Sequence, residues 1–170
     1  MSRIQGFPPL ATPQARILIL GSMPSRESLA QQRYYAHPRN AFWPIVCSLL
    51  RIEAGSYEAR ARQVTERGVA IWDVLRDCTR PGSLDADIDE KTAVVNDFEG
   101  FFCSHPNLSS IYFNGAMAES LFLKRVLPGL TPTYAAIPRL RLPSTSPAHA
   151  GMSVDQKRDA WRIILSPELE

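Results

Sequence analysis

Residues 16–21 read Arg-Ile-Leu-Ile-Leu-Gly, and this stretch decides the fold class. Its unbroken run of branched aliphatic residues predicts a short strand buried on both faces, because a strand with one solvated face alternates apolar and polar side chains. The glycine marks the turn that ends the strand. A strand of this kind is typical of a parallel sheet covered by helices on both sides.

Three further segments extend the predicted sheet. Residues 69–72 (VAIW) and 111–113 (IYF) predict two more buried strands. Residues 139–142 (RLRL) alternate between polar and apolar side chains, which predicts a strand nearer the edge of the sheet.

Helical patterns lie between these strands. Apolar residues recur at helical spacing within residues 42–50, where Pro44 is tolerated because it falls in the first turn. Residues 57–67 form a second pattern, which stops before Gly68.

Two capping boxes predict the starts of further helices. Asp87 and Glu90 have the spacing that opens a helix, and so do Ser153 and Gln156, which predict a last helix over residues 154–165. Alternating strands and helices predict an α/β fold, a three-layer α/β/α sandwich with a central four-stranded, mostly parallel sheet.

Composition bounds the class of protein. The chain has 170 residues, 45% hydrophobic and 21% charged, which fits one globular domain over residues 1–170. A formal net charge of +2 does not indicate a nucleic-acid binder by itself. No apolar run reaches the roughly 18 residues of a membrane span, and residues 1–10 lack an export signal. We expect a cytoplasmic monomer that does not act at a membrane.

The cysteines argue against a metal cofactor. Cys47, Cys78 and Cys103 are widely spaced and form no CxxC pair, so we expect reduced thiols and no structural zinc or iron–sulfur cluster. We therefore predict that the protein uses neither a metal nor another cofactor.

Unusual loops follow each predicted strand, where parallel sheets bind their ligands. The first strand is followed by GSMPS (21–25) and YYAHPRNAFW (34–43), whose paired tyrosines are hard to bury together. Asp73 follows the second strand, and Asn114 follows the third, where helix capping alone would explain it. The fourth strand is followed by LPSTSPAHAG (142–151).

Together, these segments resemble the uracil-DNA-glycosylase superfamily in order and spacing over almost the whole chain. GSMPS (21–25) resembles its first motif, and HPRNAFW (37–43) the segment that follows this motif in mismatch-specific uracil glycosylases. GVAIWD (68–73) resembles the base-reading strand, and IYFNG (111–115) a strand of thymine-DNA glycosylases. LPSTSPAHAG (142–151) resembles the second motif, which presses into the minor groove.

Departures from the superfamily pattern select a branch. Met23 stands where other branches carry a catalytic Asp or Asn, and Leu142 replaces the catalytic His of the main uracil branch. This pattern resembles the hypoxanthine-DNA glycosylase branch, in which the Asn of HPxNxFW supplies the catalytic amide. The matching residue here is Asn40.

The resemblance implies roles for the base pocket. Asn40 would position the attacking water, since an amide has no useful basicity. Tyr35 would stack on a flipped base, and Asp73 would accept a hydrogen bond from N1–H of hypoxanthine. Asn114 would donate to the departing base and, with Asp73, decide which base is accepted. His37 is a candidate donor or a structural hydrogen-bonding residue. Ser22 and Met23 would also line this pocket.

The resemblance also implies the DNA contacts. Ser146 stands where the main uracil branch carries the large apolar side chain that fills the gap left by the flipped base. The substrate would be double-stranded DNA with deaminated bases, with single strands as a further candidate. The residues expected to contact DNA are Pro24, Ser25, Ser144, Thr145, Ser146 and His149.

Other functions stay open at this point. The same fold could excise uracil or act on G:U and G:T mismatches, and the loss of the usual catalytic residues at Met23 and Leu142 suggests a non-catalytic damage-binding protein. A serine hydrolase built on Ser144, His149 and Asp155 lacks a G-x-S-x-G elbow. A dinucleotide-binding domain lacks G-x-G-x-x-G after the first strand.

Overall fold

Strands and helices alternate along residues 2–53 and 55–165, which the computed structural model describes. The strands are β1 (Arg3–Gln5), β2 (Ile17–Gly21), β3 (Val69–Asp73), β4 (Leu75–Thr79), β5 (Asp89–Val95), β6 (Ser110–Asn114) and β7 (Arg139–Leu142). The α-helices are α1 (Arg26–Gln31), α2 (Phe42–Leu50), α3 (Tyr57–Glu66), α4 (Phe98–Ser104), α5 (Ala116–Arg125), α6 (Pro132–Ala135) and α7 (Val154–Trp161). None of the helices among these residues has the length and apolar character needed to cross a membrane.

The central sheet has four parallel strands in the order β3-β2-β6-β7. Every strand predicted from the sequence is present, and β7, whose residues alternate, lies at the edge. Ile19 pairs with Ile71 on one side and Tyr112 on the other, so β2 is enclosed by its neighbours. The predicted α/β fold is confirmed. Because the strands are parallel, their carboxyl ends meet at one edge, where the loops that follow them converge.

Both faces of β2 are buried, as its apolar run predicted. Leu18 and Leu20 face one cluster, which includes Phe98, Phe102 and Phe122 from α4 and α5. Ile17 and Ile19 face a second cluster, which includes Phe42, Val46 and Trp161 from α2 and α7. Each fully buried side chain of this size stabilises the fold by about 1.5–3 kcal/mol, so these two clusters stabilise the sheet beneath the loops.

A small antiparallel sheet, in the order β1-β4-β5, corrects one prediction. The expected capping box of Asp87 and Glu90 opens no helix. Asp85–Asp87 form one short 3₁₀ turn, and β5 begins at Asp89. The Asp87 carboxylate accepts from the N–H of Leu84, 3.2 Å away, so it closes the turn, and the following residues pair with β4. Tertiary pairing thus overrides the local helix signal.

The second predicted capping box is confirmed. Ser153 Oγ accepts from the N–H of Gln156 at 3.1 Å, and the Gln156 side chain accepts from the N–H of Ser153 at 2.9 Å. The predicted helix over residues 154–165 is α7 followed by a 3₁₀ segment, Arg162–Leu165.

Candidate active site

A cavity of about 650 Å³ opens at the carboxyl edge of the parallel sheet. This volume lies in the range of small-molecule sites in proteins, and a nucleobase fits within it. The residues predicted for catalysis, base binding and DNA contact all line the cavity, whereas the candidate donor His37 does not. The predicted residues that line it are Ser22, Met23, Pro24, Ser25, Tyr35, Asn40, Asp73, Asn114, Ser144, Thr145, Ser146 and His149.

The polar groups of Asp73 and Tyr35 meet in this cavity beside Gly21. A Cβ atom on Gly21 would lie 2.5 Å from Asp73 Oδ1 and 3.1 Å from the Tyr35 hydroxyl, so only glycine leaves this space open. Asp73 is 4% exposed. Neither Asp73 Oδ2 nor the Tyr35 hydroxyl makes a hydrogen bond of normal geometry among the described residues, although the Asn114 side chain lies close enough to the Tyr35 hydroxyl to act against the rise in its pKa. Buried polar groups without partners are costly, which makes them candidates for ligand binding.

Tyr35 is held in a strained conformation. Its φ is 54°, in the left-handed region that a bulky residue adopts only under constraint. Its ring stacks on Phe42 with centroids 4.0 Å apart and an interplanar angle of 20°. The next residue, Ala36, donates its N–H to Ser28 Oγ at 3.0 Å. These contacts fix an aromatic ring at the cavity wall.

The environment of Asp73 changes its charge state. Burial raises the pKa of this carboxyl to about 7, the negative charge of Asp85 adds to the effect, and Arg80 opposes it. Both the acid and the carboxylate are therefore present near neutral pH. The acid carries a donor as well as an acceptor, whereas the sequence-based interpretation used only the carboxylate as an acceptor.

Asn40 precedes α2 with its amide held in place. Its Oδ1 accepts from the N–H of Phe42 at 2.9 Å, and its own N–H donates to the His37 carbonyl at 2.9 Å. A carbonyl oxygen has two lone pairs, so Oδ1 can accept one further hydrogen bond. His37 Nδ1 accepts from the N–H of Arg39 at 3.1 Å, which supports the structural interpretation of this histidine.

Asn114 joins the end of β6 to the loop after β7. Its Nδ2 donates to Thr145 Oγ1 at 2.9 Å, and its Oδ1 accepts from the N–H of Thr145 at 2.9 Å. The prediction that Asn114 caps the next helix is wrong, since Gly115 occupies the N-cap position. Gly115 has φ of 97°, a backbone conformation that glycine adopts without strain.

Internal hydrogen bonds shape the loop after β7. Ser144 Oγ accepts from the N–H of Ser146, and Ser146 Oγ accepts from the N–H of Ala148, both at 3.2 Å. Lys157 of α7 is buried and donates to the Ser146 carbonyl at 3.3 Å. The serines are thus turn residues that also line the cavity, and the hydrogen bond from Lys157 helps to hold the loop in place.

A part of the wall comes from a region that the sequence patterns did not single out. The connection between β4 and β5 contributes Ser83, Leu84 and Asp85. Ser83 Oγ accepts from the N–H of Arg26 at 3.1 Å, and Ser22 Oγ donates to the Asp85 carboxylate, so this connection is bonded to the first loop. No local pattern in the sequence indicates where this connection packs.

Within residues 2–53 and 55–165, no three His, Cys, Asp or Glu side chains form a group that could hold a metal ion.

The comparisons with known proteins agree with this geometry. A family model described as the uracil DNA glycosylase superfamily matches residues 8–165. The chain belongs to this superfamily. A solved solution NMR structure from Methanosarcina acetivorans, provisionally named a uracil DNA glycosylase, is similar with a TM-score of 0.78 and 31% identity, covering 96% of each chain.

Two curated relatives carry a more specific name. A hypoxanthine DNA glycosylase from Methanosarcina acetivorans is 36% identical over 116 residues, 67% of this chain and 72% of the relative. A protein of the same name from Methanosarcina barkeri is 34% identical over 113 residues, 65% of this chain and 70% of the relative. These relatives and the family model confirm the predicted class of enzyme, a DNA glycosylase that hydrolyses N-glycosidic bonds.

The space beside Gly21 yields a first prediction. The substitution Gly21→Ala should lower single-turnover base excision by roughly 100-fold, because the new methyl group displaces Asp73 and Tyr35 from the base pocket. Gly129→Ala is the matched control, since a Cβ there meets no atom within 4 Å. Thermal unfolding of both variants checks that the fold persists. Wild-type excision by Gly21→Ala would show that the base binds elsewhere.

Proposed function

We propose that this DNA glycosylase removes hypoxanthine, the product of adenine deamination, from DNA. The observation that carries the proposal is Asp73 Oδ2, a buried oxygen of the cavity lining that has no hydrogen-bond partner among the described residues and lies beside the Tyr35 hydroxyl. In its acid form, Asp73 can accept from N1–H and donate to the C6 carbonyl of hypoxanthine. The names of the two curated relatives support the same base.

Access to the base requires flipping. A glycosidic bond inside a duplex is out of reach, so the nucleotide must rotate into the cavity. Tyr35, fixed against Phe42, offers a ring face on which a flipped base can stack. The predicted contacts of Pro24, Ser25, Ser144, Ser146 and His149 with DNA fit their position around the cavity. Thr145 is buried, and its hydroxyl is bonded to Asn114, so we assign it to support of the loop.

The reaction is the hydrolysis of the bond between C1′ and N9. Water adds its oxygen to C1′, the base leaves with the bonding electron pair and a proton, and the sugar keeps the hydroxyl. We assign Asn40 to holding this water through the free lone pair of Oδ1. We assign Asn114, whose Nδ2 has a second hydrogen besides the one given to Thr145, and the acid form of Asp73 to stabilising the departing base.

Uracil excision is the second candidate, because N3–H and C4=O of uracil present the same donor and acceptor to Asp73. An excision panel decides between the two, with hypoxanthine, uracil, xanthine and thymine in defined duplexes and single strands. We expect the fastest single-turnover release for hypoxanthine. Faster release of uracil, or no release of hypoxanthine, would overturn the proposal.

A second prediction concerns Asn40. Asn40→Ala should slow hypoxanthine release by about 100-fold or more with little change in DNA affinity, because a transition-state contact is lost. The variant also loses the bond to the N–H of Phe42, which should lower the free energy of unfolding by about 1 kcal/mol.

Ser56→Ala separates these effects. It removes a side-chain acceptor for a backbone N–H at the start of α3, at a residue outside the cavity lining, and should keep the wild-type rate. Equal rates for Asn40→Ala and the wild type would move the water-holding role to another residue.

A third prediction follows from the titration of Asp73. The pKa of about 7 means that the acid predominates below neutral pH and the carboxylate above it. Only the acid donates to the C6 carbonyl, so excision should fall as the pH rises through about 7. Asp73→Asn keeps a donor and an acceptor without titrating, and should remain active without this step in the pH profile.

The groups facing Asp73 allow a control for this experiment. Burial raises the pKa of both Tyr34 and Tyr35, so the tyrosines stay neutral in this range. His149 also lines the cavity, and His149→Gln should retain the step. A step that persists in Asp73→Asn would assign the titration to another group. Asp73→Ala should in addition alter the ratio of hypoxanthine to uracil release, whereas equal losses for both bases would indicate a structural role.

A fourth prediction concerns Ser146. A serine adds little apolar area to replace the stacking lost on base flipping, which costs a few kcal/mol. Ser146→Leu should therefore accelerate excision about tenfold for well-paired lesions, and least for single strands. Ala150→Leu, an exposed position in the same loop, is the control. If the ranking of substrates does not change, the gap is filled from elsewhere, and Leu84, 55% exposed at the cavity wall, is the next residue to test.

A further inference from the structure

Asp85 enters the base cavity from the small antiparallel sheet. It lies in the 3₁₀ turn between β4 and β5 and lines the same cavity as Asp73. Its carboxylate accepts the hydrogen bond of Ser22 Oγ, from a residue 63 positions earlier in the chain. The two carboxyl groups are close enough for the charge of Asp85 to raise the pKa of Asp73.

The contact fixes the direction of the Ser22 O–H bond: the hydroxyl donates to Asp85 and can only accept from a group in the cavity. We call this a fixed polarity. A hydroxyl has one proton, and a free hydroxyl rotates to donate or accept as its neighbour requires. Because the proton of Ser22 points to Asp85, only lone pairs remain for the cavity. The backbone of Ser22 is also held, since its carbonyl accepts from the N–H of Leu75 at 3.1 Å. Ser22 is 7% exposed, so little solvent competes for its hydroxyl.

A group of fixed polarity is needed to separate hypoxanthine from adenine. The two purines have the same outline, but hypoxanthine has N–H at position 1 and a carbonyl at C6, whereas adenine has a lone pair and an amino group. A neutral carboxyl group presents its donor and acceptor in either order. The acid form of Asp73 alone therefore pairs with both bases.

We propose that Asp85 is a specificity-determining residue that acts through Ser22, by holding the Ser22 hydroxyl as an acceptor and so excluding adenine. The inference rests on the proposed removal of hypoxanthine. Ser22, Asp73 and Asp85 line the same cavity, and Asp85 both bonds the Ser22 hydroxyl and acts on Asp73 through its charge. The acceptor and the acid of Asp73 can therefore face the same base. The Ser22 hydroxyl adds an acceptor for N1–H of hypoxanthine and meets the lone pair of adenine without a hydrogen bond. Excluding adenine is a demanding task, because normal adenine vastly outnumbers its deaminated form.

The charges around Asp85 suit this role. Burial raises the pKa of Asp85, while the hydrogen bond from Ser22 and the positive charge of Arg80 act in the opposite direction. Arg80 is itself buried and donates to the Gly82 carbonyl at 3.0 Å, so its guanidinium stays near the turn. Burial still raises the pKa of Asp85 overall, and the hydrogen bond from Ser22 and the charge of Arg80 limit that rise in favour of the carboxylate.

The test compares binding of two duplexes that cannot be cleaved, with 2′-fluoroarabino inosine or 2′-fluoroarabino adenosine opposite thymine. Asp85→Asn keeps the shape, but its amide can donate to Ser22 and release the hydroxyl proton toward the cavity. We expect the preference for inosine over adenosine to fall by about tenfold or more. Ser22→Ala should lower the same preference, and Asp85→Asn should add nothing in the Ser22→Ala background.

Asp87→Asn is the matched control. It lies in the same turn outside the cavity lining, and its amide oxygen can still accept from the N–H of Leu84, so the preference should be unchanged. Thermal unfolding checks each variant, and Ser22→Ala carries the test if Asp85→Asn does not fold.

The outcomes separate the inference from the function on which it rests. A wild-type preference that survives Asp85→Asn, or losses that add in the double variant, overturns the role of Asp85 alone. Wild-type protein that neither prefers the inosine duplex nor releases hypoxanthine overturns the proposed function together with this inference.

Discussion

Thr145 holds three parts of the active site together. Its N–H and hydroxyl are bonded to Asn114 at the end of β6, and its carbonyl accepts from the N–H of Ala41 at 3.0 Å. Ala41 follows Asn40 directly, so the amide assigned to the attacking water is positioned from the loop after β7. Thr145 is 1% exposed, and hydrogen bonds are strong where water is excluded. The proposed base pocket, the proposed water site and the loop proposed to face DNA therefore depend on one buried residue.

Two features of the site are costly for the fold: side chains packed closely against glycines, and a buried polar group without a hydrogen-bond partner. Gly21 leaves room for Asp73 and Tyr35, and Gly115 lets Ser144 approach, since a Cβ there would lie 3.1 Å from Ser144 Cβ. A buried group without a partner costs about 1–3 kcal/mol, and the strain of Tyr35 adds to this. The two apolar clusters around the parallel sheet offset these costs. Backbone strain and buried polar groups without partners are expected at a binding site, where the ligand supplies the missing hydrogen bonds.

The charged side chains that act on the cavity come from the regions of two different sheets. Asp73 comes from the parallel sheet, while Asp85 and Arg80 come from the region of the antiparallel one. The second sheet therefore affects both the protonation of Asp73 and the polarity of Ser22. In this arrangement the small sheet belongs to the chemistry of the site as well as to the architecture.

The sequence by itself determined the parallel sheet, the loops that carry the site, and Asn40, Tyr35 and Asp73 as candidates. Apolar runs and helical spacing act between near neighbours, and parallel strands bring their carboxyl ends together wherever the helices lie. The tertiary structure alone decided the bond of Asn114 to Thr145, the contact of Asp85 with Ser22 and the charge state of Asp73. These features join residues far apart in the chain or depend on burial, and no local pattern carries that information. The same reason explains why the helix signal near Asp87 failed, since pairing with β4 outweighed it.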